Sequence, residues 1–418
     1  QSADQAIEGA SRYLMQVLTT QIANGSNGFI PDPTYGYQCD GVPVGDARFW
    51  VIGRDTNLLT ISGPGQVRFG LVDEGSKLNL NTAISNQLVW LPRMTADIAE
   101  AILDWRDTNG NGATVTFYPM QQPSYLCKND PFETVDELRL VYGADMDILL
   151  GEDANRNGVL DPSETDENQN NQLDPGILEY LTVYSREPNT NSDGSARINL
   201  TTVSTTPAPL RSLLQTNFGS TRADQILSNL GLLASSSGSG NRPGGGGGGG
   251  GGTVAVRPFR GPLDFFILSK MTETEFSQVA TNFTTVNGPF FEGRVNVNTA
   301  NLMVLTCLLG GDAGAAQQLI SYRQSNPNGL TSIAWVATAL GQSYSTALQS
   351  LEGGDYVTTR SYQFSADIAA VGPHGRGYRR VKFILDTSSG TPQILYRQDL
   401  THLGWALGAE VRKKLNAT

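Results

Sequence analysis

The sequence predicts an α+β protein in which an N-terminal helix packs on a small antiparallel sheet, with a large, mostly α-helical domain inserted between the first and last strands. Three observations predict it. Apolar residues recur at helical spacing at the start, strand-like alternation appears at both ends, and the middle is made of helical stretches punctuated by loops. The boundaries that follow are 1–75 for the helix and first strands, 76–354 for the insertion, and 355–418 for the strands that complete the sheet.

In the first helix, Ala3, Ile7, Ala10, Leu14, Val17 and Leu18 form one apolar face, with no capped turn before them. The chain therefore reads as starting inside a helix, which predicts a processed or truncated N-terminus whose missing part includes a membrane anchor. No run of about 18 apolar residues occurs in the chain itself, so no spanning segment is predicted within it. The first strands are Arg48-Phe49-Trp50-Val51-Ile52-Gly53 and Val67-Arg68-Phe69-Gly70-Leu71-Val72. The last are the alternating Tyr362, Phe364, Ala366 and Ile368, then Arg380-Val381-Lys382-Phe383-Ile384-Leu385 and Ile394-Leu395-Tyr396.

The insertion contains a repeat. Lys77-Leu78-Asn79-Leu80-Asn81-Thr82-Ala83 recurs as Arg197-Ile198-Asn199-Leu200-Thr201-Thr202-Val203 and as Arg294-Val295-Asn296-Val297-Asn298-Thr299-Ala300. Each copy predicts a short extended entry whose Asn and Thr side chains cap a following helix. Residues 235–252, Ser/Gly-rich and ending in a glycine tract, predict a flexible linker.

Composition narrows the function. A net charge of −11 opposes a nucleic-acid partner, which needs clustered Lys and Arg. Three cysteines without a Cys-x-x-Cys pair exclude a structural zinc site. Cys307 lies in an apolar run and predicts a buried thiol, whereas Cys39 and Cys127 are either a disulfide of an oxidising compartment or two thiols. Two histidines, His374 and His402, leave few catalytic schemes, and Asp97, Asp104 and Asp107 have no companion motif. The chain thus predicts neither an enzyme nor a small-molecule substrate.

The strongest chemical signal is Asp153-Ala154-Asn155-Arg156-Asn157-Gly158-Val159-Leu160-Asp161-Pro162-Ser163-Glu164. Oxygen donors at loop positions 1, 3, 5, 9 and 12 with Gly at 6 reproduce the spacing of an EF-hand-type calcium loop. Asp153, Asn155, Asn157, Asp161 and Glu164 are the predicted side-chain ligands, and Val159 supplies its carbonyl. Every donor is oxygen, which suits Ca2+. A second loop follows with Asp166, Asn168, Asn170, Gln172 (through its carbonyl) and Asp174. Asn171 replaces the glycine, and Ile177 stands where the bidentate glutamate belongs, so Glu179 or a residue from elsewhere must serve. A shorter series, Asp107-Thr108-Asn109-Gly110-Asn111-Gly112, reads as a turn closing the preceding helix.

Several of these stretches together resemble the GspK family, the minor pseudopilin K of type II secretion systems. They are Lys77–Ala83, Ala101-Ile102-Leu103-Asp104-Trp105-Arg106-Asp107, Asn129-Asp130-Pro131-Phe132, Asp136-Glu137-Leu138, Val141-Tyr142-Gly143 and Val295–Ala300. The resemblance implies a pilin-like core with a hydrophobic N-terminal helix, a helical insertion and calcium binding. It further implies a periplasmic protein anchored in the bacterial inner membrane, acting at the pseudopilus tip beside the I-, J- and H-type minor pseudopilins. The glycine tract and the extra copy at 199–201 are departures from the family pattern. Two other classes stay open: a calcium-dependent surface adhesin, and a helix-hairpin-helix DNA-uptake protein, which Val295–Ala300 with Leu319-Ile320-Ser321-Tyr322-Arg323 also resembles. Asp312 at the third copy's turn opposes the latter.

Overall fold

The computed structural model describes residues 1–23, 39–56, 66–233 and 257–416. The predicted linker at 235–252 lies outside them. Helix α1 (Ser2–Ala23) buries Ala3, Ala6, Ile7, Ala10, Leu14 and Leu18, the stripe that helical periodicity selects, while Val17 packs at its edge. The stripe meets one face of a six-stranded antiparallel sheet. Its strands are β1 (Val42–Val44), β2 (Ala47–Ile52), β3 (Val72–Asp73), β4 (Gln363–Val371), β5 (Arg379–Asp386) and β6 (Gln393–Asp399). They run in the order β1-β2-β4-β5-β6, with β3 also pairing β4. Both ends of the chain thus build one sheet.

Strand alternation sorts the two faces. Phe49, Val51, Phe364, Ile368, Val381 and Phe383 face α1. Trp50, Ile52, Ala369 and Val371 face the other way, against Ala406, Leu407 and Val411 near the C-terminus. β4 is central and buried at every position, including Gln363, Ser365 and Asp367, which alternate with apolar residues in its first half. The run at 67–72 differs from its predicted strand. Only Val72 reaches the ladder, while Phe69 makes a single bridge to Ile52, held by Gly53 N donating to Arg68 O and Gly70 N to Val51 O, both at 2.8 Å.

Each repeat copy of the insertion opens on the extended entry expected of it, paired as a short parallel strand. Leu78–Asn79 pairs with Leu181–Thr182, Ile198–Asn199 with Phe283–Thr284, and Val295–Asn296 with Val357–Thr358. The hydrogen bonds repeat as well. Asn79, Asn199 and Asn296 each accept through Oδ1 from the amide two residues on, at 2.9, 2.9 and 3.0 Å. Their Nδ2 groups donate to Ser185 (3.1 Å), Asn287 (2.7 Å) and Ser361 (2.7 Å). The partner strands carry the other half of the repeat: Thr182, Thr284 and Thr358 accept from the amide two residues on. The buried members, Asn79, Asn296, Thr182, Thr284 and Thr358, thus have backbone or side-chain partners, which offsets the cost of removing them from water.

One hydrophobic core runs through all three copies, separate from the α1–sheet core. Cys39 belongs to the α1–sheet core and Cys127 to the insertion core, so the disulfide alternative is corrected to two buried free thiols. Cys307 is also buried and free. Asp104 is buried and accepts both the amide and the hydroxyl of Thr114, a structural arrangement.

Candidate metal centre

A short helix, Met146–Leu150, leads into the first loop and ends at Gly151, with φ 56°. A Cβ there would stand 2.4 Å from the carbonyl oxygen of Asp174, so only glycine permits the approach. Gly151 bridges Pro175, Glu152 N donates to Asp174 O (3.0 Å), and Gly176 N donates to Leu150 O (2.8 Å). This clasp joins the start of the first loop to the end of the second.

Inside the first loop, Asp153 Oδ1 accepts from Asn157 N and Oδ2 from Gly158 N, both at 2.9 Å. Asn155 and Asn157 turn their amide groups onto Asp161 Oδ2, at 2.7 and 2.8 Å. Glu164 Oε1 accepts from Asn155 N (3.1 Å) and Oε2 from Asp161 N (2.9 Å). Val159 N donates to Asn157 Oδ1 (3.0 Å), and the Val159 side chain packs against the sheet. All five predicted side-chain ligands therefore converge in one turn of chain.

The second loop repeats most of this geometry. Asp166 accepts from Asn170 N (3.2 Å) and Asn171 N (2.8 Å), and Asn168 and Asn170 turn onto Asp174 Oδ2, at 2.6 and 3.3 Å. Gln172 N donates to Asn170 Oδ1 (2.7 Å). Position 4 is left-handed in both loops, Arg156 and Gln169 each at φ 58°, and position 6 likewise, Gly158 at 80° and Asn171 at 58°.

A glutamate from upstream bridges the second loop. Glu152, 4% exposed, accepts from Glu167 N (2.8 Å) through Oε1 and from Asp174 N (2.9 Å) through Oε2. It thus bridges the start and ninth position of the second loop as Glu164 bridges positions 3 and 9 of the first. Glu179 is placed elsewhere: it forms a two-point pair with Arg54, at 2.7 and 3.0 Å, and Ile177 is core. Spacing alone does not reveal Glu152, because it precedes the loop it serves. The only sequence signal is the gap at Ile177.

In the first loop, burial opposes the ionised form of two carboxyl groups. Burial, reinforced by Asp153 and Asp161, pushes the Glu164 carboxyl up to about 7, and burial also raises Asp153. Burial resists ionisation of Glu179 too, but the Arg54 guanidinium outweighs it and holds that carboxyl low. Asn155 Oδ1 is buried without a hydrogen-bond partner. An orphaned buried oxygen beside three acidic side chains fits a hard cation, which takes carboxylate and amide oxygens together. Among the described residues no group of three or more His, Cys, Asp or Glu side chains is placed to hold a metal ion.

The turns that a helix-hairpin-helix would offer to a phosphate are engaged. The Trp90 ring of the first copy lies against Gly311 of the third, and the Asp312 carboxylate accepts from Ala315 N (2.9 Å) at the helix start. An anion already occupies that end.

Residues 74–150 match the first domain of type II secretion system protein K. That segment is similar to the protein K family. It contains the first repeat copy and ends at Leu150, the last residue of the helix leading into the loops. A chain in the crystal structure of the GspK–GspI–GspJ complex, from the type 2 secretion system of enterotoxigenic Escherichia coli, is similar at 11% identity. The alignment covers 95% of this chain and 96% of that one, with a TM-score of 0.46. No curated protein matches. Among the described residues, no helix is long and apolar enough to cross a membrane.

Proposed function

We propose that the protein is a minor pseudopilin of the K type, a non-catalytic component of the tip of a type II secretion pseudopilus or a related pilus-like assembly. There it supports protein secretion across the outer membrane, working in the periplasm beside I-, J- and H-type pseudopilins. α1 on its antiparallel sheet serves as the pilin-like core, and the three-copy insertion as the head it carries. The observation that carries the reading is the protein K match at residues 74–150, running directly into the paired loops.

In this reading the two loops hold calcium. Asp153, Asn155, Asn157, Asp161, Glu164 and the Val159 carbonyl form one site. Asp166, Asn168, Asn170, Asp174, the Gln172 carbonyl and Glu152 form the other, with Glu152 in place of Glu179. A bound divalent cation supplies positive charge that relieves the crowding of Asp153, Asp161 and Glu164. The chain's own part is to hold those oxygens together at the junction of insertion and sheet. Saturation at about 100 times the dissociation constant stabilises each site by roughly 2.7 kcal/mol.

The assembly claim is tested by mixing the purified chain with the I- and J-type pseudopilins of its own operon and measuring the mass of the product. A three-component complex at micromolar concentration is expected. Three separate monomers at that concentration would contradict the assignment.

A further inference from the structure

The first loop is held from outside by two arginines of the sheet unit. Arg380 on β5 is fully buried, pairs with Asp367 through Nε (2.9 Å) and Nη2 (2.6 Å), and donates to the carbonyls of Asn155 and Arg156. Arg54, just beyond β2, pairs with Glu179 and donates to the carbonyls of Arg156 (3.1 Å) and Asn157 (3.2 Å). Three successive carbonyls, at loop positions 3, 4 and 5, are therefore fixed by groups from the sheet. The Asn155 and Asn157 side chains also reach the carbonyls of Trp405 (3.3 Å) and Ala406 (3.2 Å), beyond β6. In the second loop Asn168, Gln169 and Asn170 are all exposed.

We propose that Arg54 and Arg380 are positioning residues that join cation binding in the first loop and seating of the insertion on the sheet into one linked equilibrium, leaving the second loop independent. The inference rests on the calcium reading above and adds its regulation. The residues whose carbonyls the arginines fix carry the ligands Asn155 and Asn157, so the peptide units that aim those side chains are set by the sheet. Linkage is reciprocal: if seating favours the cation, the cation favours seating to the same degree.

Charge and positioning predict opposite outcomes, which makes the idea testable. Arg54 and Arg380 are cations near a cation site, so through charge alone their removal tightens calcium binding. Through positioning, removal weakens it, by about ten- to a hundredfold as for other supports of metal ligands. The experiment is calorimetric titration of calcium chloride into the metal-stripped full chain and its Arg54→Gln and Arg380→Gln variants. A paired Arg380→Gln/Asp367→Asn variant avoids leaving a buried carboxylate uncompensated if the single change prevents folding. The expected result is one of two calcium steps weakened at least tenfold and the other kept within about twofold. In parallel, calcium slows amide exchange in β5 and residues 405–407 of the parent and of Glu152→Gln, but not of Glu164→Gln. A first step that is unchanged or tighter in the arginine variants overturns the proposal and leaves the calcium reading intact. No calcium uptake by the parent chain sinks both.

Discussion

Two loops with nearly the same internal hydrogen bonds sit in different surroundings, and position 6 shows what that difference demands. In the first loop it is Gly158, where an added Cβ would lie 2.7–2.9 Å from the Arg54 side chain. In the second it is Asn171, with similar left-handed backbone but exposed. Asparagine tolerates that conformation, so backbone geometry alone does not require glycine in either loop. The covering arginine does. A loop motif records the fold of the loop, and its departures record what lies on top of it.

The largest effect should follow from filling that space. Gly158→Asn should displace Arg54 from Glu179 and cost about 3 kcal/mol, from overpacking and a broken buried pair. Chemical denaturation checks it, and a loss below about 1 kcal/mol would remove the distinction between the loops. Next, Glu164→Gln should abolish the first calcium step. With it goes the first loop's share of the calcium-dependent rise in melting temperature, about 3 °C from roughly 2.7 kcal/mol in a chain of this length. Glu152→Gln should remove the second step instead and cost about 1–2 kcal/mol, since it weakens a buried acceptor of two amides. If Glu179→Gln removed the second step and Glu152→Gln did not, the upstream glutamate would be misassigned.

Acid should also loosen the seat of the insertion through Glu74, which lies outside both loops. Burial opposes ionisation of Glu74, but Lys77 (3.2 Å) and Lys382 of β5 (3.8 Å) outweigh it and hold the carboxyl at about 2. The folded-state pKa is depressed, so this contribution is present above about pH 4.3, the ordinary glutamate value, and is lost as pH falls toward 2. Melting temperatures of the parent and of Glu74→Gln should therefore converge as pH drops through that window. The smallest effect is Asn171→Gly, which should stay within about 1 kcal/mol in the open second loop, because relief of left-handed strain and added chain entropy oppose each other.

Much of the architecture was legible because local rules decide it. Apolar spacing marks the stripe of α1, and alternation marks β2, β5 and the faces they present. The repeat was legible only in its first half. Lys77–Ala83 and its copies are similar enough to see, but Thr182, Thr284 and Thr358 share little beyond one threonine and lie 62 to 103 residues downstream of their Asn partners. Donor spacing named five side chains that converge in the first loop. Glu152, Arg54 and Arg380 escaped it because they act across the fold: no periodicity links residue 152 to 174, or residues 54 and 380 to 156.

The measurement that tests the central claim most directly is calorimetry of calcium added to the metal-stripped chain. The account predicts uptake of two ions, with Glu164→Gln and Glu152→Gln each losing a different one, and poor replacement by magnesium, which keeps its waters and demands octahedral geometry. Absence of calcium uptake in the parent chain, or two steps that both survive Glu164→Gln, would contradict it.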